Sequence, residues 1–397
     1  MEQQPTTSIN FLEEMNDFIF VSKYARYNDK EGRRETLNET VDRVCNMHLQ
    51  KYFFLSEEDK NKIIQAFEMV KQKKVVPSMR SMQFGGKAIE AHHARIYNCG
   101  VRHIDSIRAF SEFFYCLLAG TGMTAGVTEK VISNLPNLVS KSDKTGTVLT
   151  YVIEDSIEGW ADSVSVLLEC YHKNTSLTGR KIIFDYSKIR PKGSPLKTGG
   201  GKAPGHEGLQ QAHKKIKELL DHLIEDLYLD QLRSIDIYDI LMHCADAVLS
   251  GGIRRAATMV IFDHNDSLMM NAKTNFKVSS FKRFEKINDK WEGTIHIKKK
   301  KYEVNISDWE YKLLQDKKEI SWFHIEPQRA RSNNSVLLLR NETTKKQFEE
   351  IIENTKQYGE PGFIFADSEL ALFNPCAEIS FIPKTKDGRF GVQFCNL

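Results

Sequence analysis

From Asn334 onward, short apolar runs alternate with amphipathic ones. Asn334 to Leu339 reads as a strand, Thr343 to Gln357 as a helix, and Gly362 to Ala366 as a second strand. Strands that are apolar at successive positions are buried on both faces, and a helix between two of them is the crossover that parallel pairing requires. The rhythm predicts an α/β architecture with a mostly parallel sheet. Upstream segments repeat it, with a buried strand expected at Lys181 to Asp185 and another strand at Ala257 to Phe262. Helices are expected at Glu154 to Tyr171, Gly208 to Leu229 and Asp236 to Leu249.

The remaining segments are placed around that frame. Residues 1–90 read as a helical N-terminal region, with helices at Phe11 to Val21, Thr36 to Tyr52, and from the capping pattern at Ser56 to about Lys74. Pro77 to Gly86 reads as a loop by its proline and paired glycines. Tyr97 to Val101 is a short strand, and Asp105 is placed to cap an apolar helix from Ile107 to Leu118. The small residues Ala119 to Gly126 either bring a backbone close to a ligand or form a helix cap and turn. Gly199 to Lys202 suggests a phosphate loop but fails the pattern, because Leu196 stands where its first glycine belongs and Ala203 follows Lys202. Arg254 and Arg255, on a glycine turn, are either solvated or an anion clamp. Residues of about 275–319 are lysine-rich and alternating, which suggests an inserted hairpin with Lys298 to Lys301 at its turn. Asp387-Gly388 marks a second hairpin between strands at Ala377 to Ile382 and Val392 to Phe394.

Composition narrows the class. With 56 basic and 53 acidic residues in 397, the formal charge of +3 is too small to imply a nucleic-acid partner. No run approaches the ~20 apolar residues of a membrane span, and the polar start lacks a secretion signal, so a cytoplasmic protein is expected. Seven sparse cysteines with no Cys-x-x-Cys spacing argue against a disulfide framework or a zinc ribbon. Cys45, Cys116, Cys170 and Cys244 sit among apolar helical neighbours and read as core. Cys99, Cys376 and Cys395 each stand beside an asparagine or in an extended or loop segment.

Asn374-Pro375-Cys376-Ala377-Glu378-Ile379 places an amide, a thiol and a carboxylate within five residues. Pro375 lacks an N–H and disfavours helix at Asn374, so the stretch reads as a loop whose Asn374, Cys376 and Glu378 side chains project to one side with period two. Cys376 beside Glu378 is a nucleophile or radical carrier next to a base; the alternative is a core cysteine with a surface glutamate.

These residues, followed by Cys395-Asn396-Leu397, resemble the finger loop and redox cysteine of ribonucleotide reductases, and the form Asn-Pro-Cys-x-Glu is most like the adenosylcobalamin-dependent class II enzymes. Tyr24-Ala25-Arg26-Tyr27, Pro77-Ser78-x-Arg80, Asn98-Cys99, Gly120 to Val127, Ile189-Arg190-Pro191, Gly252 to Ala256, Ser332 to Val336 and Gly359 to Gly362 fall in the family's order. The resemblance implies residues 91–397 as the N-terminal part of an incomplete ten-stranded α/β barrel. It implies Cys376 as the thiyl radical that takes the ribose 3′ hydrogen, Glu378 as general base, and Asn374 holding the 2′/3′ hydroxyl region. Cys99 and Cys395 would be the redox pair. Ser78, Asn98, Gly120, Thr121 and Gly122 match substrate-lining positions, while Arg254, Arg255, Asp263 and Asn265 fall where effector and substrate are coupled. The implied ligands and partners are adenosylcobalamin, dNTP or ATP effectors, a ribonucleotide, a thioredoxin-like reductant and a C-terminal reductase fragment, as in a split or intein-interrupted enzyme. Thr124 departs from an expected glycine, and the 275–319 insertion has no counterpart. A class I catalytic subunit needing a metal-radical partner, and a catalytically idle nucleotide-binding fragment, are the competing expectations.

Overall fold

The structure is a computed structural model that describes residues 11–28, 30–195, 202–249 and 257–396. Its centre is a six-stranded sheet. Strands Cys99–His103, Gly122–Gly126, Thr258–Asp263, Ser332–Leu339 and Gly362–Ala366 run parallel in that spatial order, and Gln393–Cys395 adds antiparallel to the outer side of the first. The expected parallel α/β frame is present as an open sheet rather than a closed barrel.

Side-chain alternation divides the sheet into two faces. Met123, Ala125, Val260, Phe262, Val336 and Leu338 join the large core beneath helices Ile107–Ala119, Ile157–Tyr171, Glu207–Glu225 and Ser234–Leu249. Val101, Met259, Ile261 and Leu337 face the other way and bury Ala371 and Leu372. No helix among the described residues is long and apolar enough to cross a membrane.

Four local expectations are corrected. Pro77 to Gly86 is not all loop: Met79–Phe84 forms a short helix bracketed by Ser78 and Gly85. Asp105 does not cap the next helix, because its carboxylate is taken by Arg102 at 2.8 Å and Ser106 occupies the cap position. The helix ends as expected at Gly120, left-handed at φ +89°, but the chain then enters the buried Gly122–Gly126 strand instead of a turn. Lys181–Asp185 pairs only with Val148–Val152, so it is half-exposed rather than a core strand.

The lysine-rich insertion is more than a hairpin. Ser280–Ile287, Lys290–Ile297 and Lys300–Ile306 form an antiparallel meander, followed by helix Asp308–Lys317. Val278, Ile295, Val304, Ile306 and Leu314 form a core cluster there that continues into Ile320 and Ile325. Phe276–Lys277 pairs with Glu319–Ile320, which closes its base.

Candidate active site

The Asn374 stretch is the tip of a finger-like loop on the sheet face away from the helices. Its stem is two residues deep: Leu372–Phe373 pairs antiparallel with Ser380–Phe381. Leu372 is fully buried, and the stem seats because the strand beneath it carries glycine. A Cβ on Gly126 would lie 2.8 Å from Leu372 Cδ2, and one on Gly122 would lie 3.5 Å from Pro375 Cγ and 3.2 Å from Ala257 Cβ. The expected strand from Ala377 to Ile382 is reduced to this stem because the tip is a tight turn.

That turn also corrects the period-two projection. Ala377 N–H donates to the Asn374 carbonyl at 2.7 Å, and Ala377 adopts φ +60°. Asn374 Oδ1 accepts the backbone N–H of Glu378 at 3.1 Å and of Ile379 at 3.0 Å. An Asn side chain that satisfies two loop amides is a common way of holding a turn. Asn374 is therefore fully buried, while Cys376 and Glu378 remain exposed at the tip.

Three sulfurs converge here. Cys395 lies directly opposite Cys99 across the antiparallel ladder, and both thiols are free and buried. Asn374 Nδ2 donates toward Cys395 Sγ at 3.8 Å. Cys376 stands close enough to feel the charge of the Glu378 carboxylate and of the Cys395 thiol. Burial, then the Cys395 thiol, pushes Cys99 up to about 12. Burial and then the Glu378 carboxylate push Cys376 above the ordinary thiol value. Both thus keep their S–H near neutrality, which makes them poor thiolate nucleophiles but leaves the hydrogen in place.

The substrate-lining expectations fall around this centre. Ser78 precedes the short Met79–Phe84 helix, and its Oγ is buried without a partner among the described residues. Arg80, whose role the sequence reading did not assign, is buried and donates to the carbonyls of Tyr97, at 3.3 Å from Nη2, and of Gly120. It ties the Ser78 segment to the start of the Cys99 strand and to the glycine cap. Thr121 Oγ1 donates to Tyr97 O at 3.2 Å, and Gly122 N–H to Asn98 O at 2.8 Å. Ser78, Asn98, Gly120, Thr121 and Gly122 are thereby linked at the N-terminal ends of the parallel strands.

The effector-side expectations do not gather in the same way. Arg254 and Arg255 lie outside the described residues. Asp263 and Asn265 sit at the C-terminal end of the Thr258–Asp263 strand, roughly 20 Å along it from the end where Cys99 begins its own strand. There Asp263 accepts the Glu129 N–H at 2.7 Å, a local structural task.

With this geometry in view, the class is clear: an α/β sheet with a cysteine-bearing finger loop on one face and a facing cysteine pair. A family model described as the insertion domain of B12-dependent ribonucleotide reductase matches residues 131–220. A solved B12-dependent (class II) ribonucleotide reductase superposes with a TM-score of 0.67 at 20% identity, covering 92% of this chain and 53% of that one. A Mycobacterium phage D29 protein named as an adenosylcobalamin-dependent ribonucleoside-triphosphate reductase is 23% identical over 92% of this chain and 53% of its own length. The Lactobacillus gasseri reductase of that name is 23% identical, over 64% of this chain and 42% of its own. The chain has the fold of the class II ribonucleotide reductases and resembles that family along most of its length, spanning about half the length of these relatives. The matched residues include strands Val148–Val152 and Lys181–Asp185 and helix Ile157–Tyr171, and lie outside the lysine-rich module.

Proposed function

We propose that this chain supplies the radical and redox site of a class II ribonucleotide reductase, which converts a ribonucleotide to a 2′-deoxyribonucleotide. The convergence of Cys376, Cys99 and Cys395 carries the reading. Adenosylcobalamin would supply, by homolysis of its cobalt–carbon bond, the radical that initiates turnover. The thiol chemistry fits that group: Cys376 is exposed at the loop tip and retains the S–H that hydrogen-atom removal requires.

The Cys376 thiyl radical takes the 3′ hydrogen of the ribose, and Glu378, beside it, accepts the 3′-hydroxyl proton. The 2′-hydroxyl leaves as water. Cys99 and Cys395 give up two electrons and two protons and close to a disulfide, and Cys376 returns the hydrogen to C3′. The net change is ribonucleotide plus two thiols to deoxyribonucleotide, water and one disulfide. A thioredoxin-like dithiol would reopen the disulfide by exchange. Ser78 Oγ, buried and without a partner among the described residues, is available to a substrate oxygen.

The test is deoxynucleotide formation from ribonucleoside triphosphate with adenosylcobalamin, the reductase's remaining half being supplied as a second chain or in the same one. Cys376→Ser should abolish product while ribonucleotide binding persists. Product formation by that variant, or a strict need for a separate metal-radical subunit in place of adenosylcobalamin, overturns the reading.

A further inference from the structure

Asn374 has a use in this structure that differs from holding a ribose hydroxyl. Its carbonyl oxygen already accepts two backbone N–H groups, from Glu378 and Ile379, which occupies both lone pairs. Those two bonds also fix the amide orientation, since only the oxygen can accept them. The NH2 group is consequently turned the other way, toward Cys395 Sγ at 3.8 Å. The side chain is fully buried, so neither end is exchanging with water.

We propose that Asn374 is a positioning residue that couples the finger-loop tip to the Cys99–Cys395 pair: its carbonyl clamps the loop, and its NH2 supplies the hydrogen bond that favours the thiolate during exchange. The sulfur half of this inference rests on the redox reading of Cys99 and Cys395. Thiol–disulfide exchange proceeds through a thiolate, and burial of the pair disfavours one at Cys99. An N–H donor aimed at sulfur stabilises the ionised form more than the neutral one. The same amide links that step to the aim of Cys376, because the turn it clamps carries Cys376 two residues on. Any contact Asn374 makes with a ribose hydroxyl is therefore made as a donor through Nδ2, never as an acceptor.

The experiment uses the whole chain and its thiols, with oxidised glutathione as the oxidant. One thiolate of the pair attacks glutathione disulfide and releases a glutathione thiolate; the second cysteine then displaces the bound glutathione and closes the Cys99–Cys395 bond. Closure is followed by peptide mapping across pH, and amide hydrogen exchange is read at Glu378 and Ile379. Asn374→Ala should slow closure about tenfold near pH 7.5, move its pH profile upward, and speed exchange at both amides. Asn374→Asp keeps two acceptor oxygens, so the loop amides should stay protected while closure slows at least as much. Wild-type closure rates in both variants, or wild-type exchange in Asn374→Ala, overturn the proposal. A wild-type chain in which Cys99 and Cys395 never pair overturns the redox reading itself, and is told apart by leaving the amide-exchange contrast intact.

Discussion

Raised thiols and depressed imidazoles give single residues opposite signs in the pH dependence of stability. Cys99 is held from an ordinary 9.0 up to about 12 by burial. Between those values the unfolded chain has lost a proton that the folded chain keeps, so the stabilisation is complete below about 9 and is lost as pH rises toward 12. The urea midpoint should fall between pH 8 and pH 10.5, and the fall should be smaller in Cys99→Ala; equal slopes would contradict the buried-thiol assignment. His213 has the opposite sign. Its ring nitrogens are bonded to Ser163 and Tyr186, each at 2.9 Å, and burial lowers it from 6.5 to about 3. That contribution is present above about 6.5 and lost as pH falls toward 3, so the midpoint should decline on acidification below pH 6.5. Arg80 acts through geometry. A lysine there has one nitrogen for the carbonyls that the guanidinium reaches at Tyr97 and Gly120, and Arg80→Lys should cost about 1–3 kcal/mol in chemical denaturation.

Elements carry the seating of the finger loop. Leu372→Ala removes a fully buried anchor of the stem and should cost about 2–5 kcal/mol. Gly122→Ala puts a methyl 3.2 Å from Ala257 and 3.5 Å from Pro375, so it should lower deoxynucleotide formation more than it lowers the urea midpoint. Equal losses would place Gly122 in the core alone. These features also show where sequence was readable. Strands such as the one carrying Val336 to Leu339 are apolar on consecutive positions because helices cover one face and the finger stem the other, so their signal was strong. The Gly122–Gly126 strand gave little, because glycines stand at both ends of so short a strand, where a Cβ would meet Pro375 or Leu372. Met79–Phe84 was hidden by the proline and glycines that bracket so short a helix. The turn at Ala377 depends on a buried amide that no local pattern reveals. The site cysteines were legible through their contexts and through family resemblance; their meeting depends on the register that sets Cys395 against Cys99.

At the scale of the molecule, the lysine-rich module joins the reductase-like body through a narrow base. Its core cluster is distinct from those of the sheet and takes in Ile320 and Ile325, and its base is only two residues wide on each side. Replacing residues 278–318 with Asn-Gly, which suits a two-residue hairpin connection, should leave the main sheet folded with an unchanged rate of Cys99–Cys395 closure. Loss of the fold would make the module part of the core. The body presents the Gly362–Ala366 strand at the sheet edge, and the chain spans about half the length of the reductases it resembles. The central claim concerns the chemistry of the three cysteines, and one measurement addresses it directly. With the remaining half supplied, adenosylcobalamin and ribonucleoside triphosphate are added without external reductant, and product and disulfide are counted together. The account predicts one deoxynucleotide per active site, matched by one Cys99–Cys395 disulfide and none in Cys376→Ser. Deoxynucleotide formed while Cys99 and Cys395 remain reduced would contradict it.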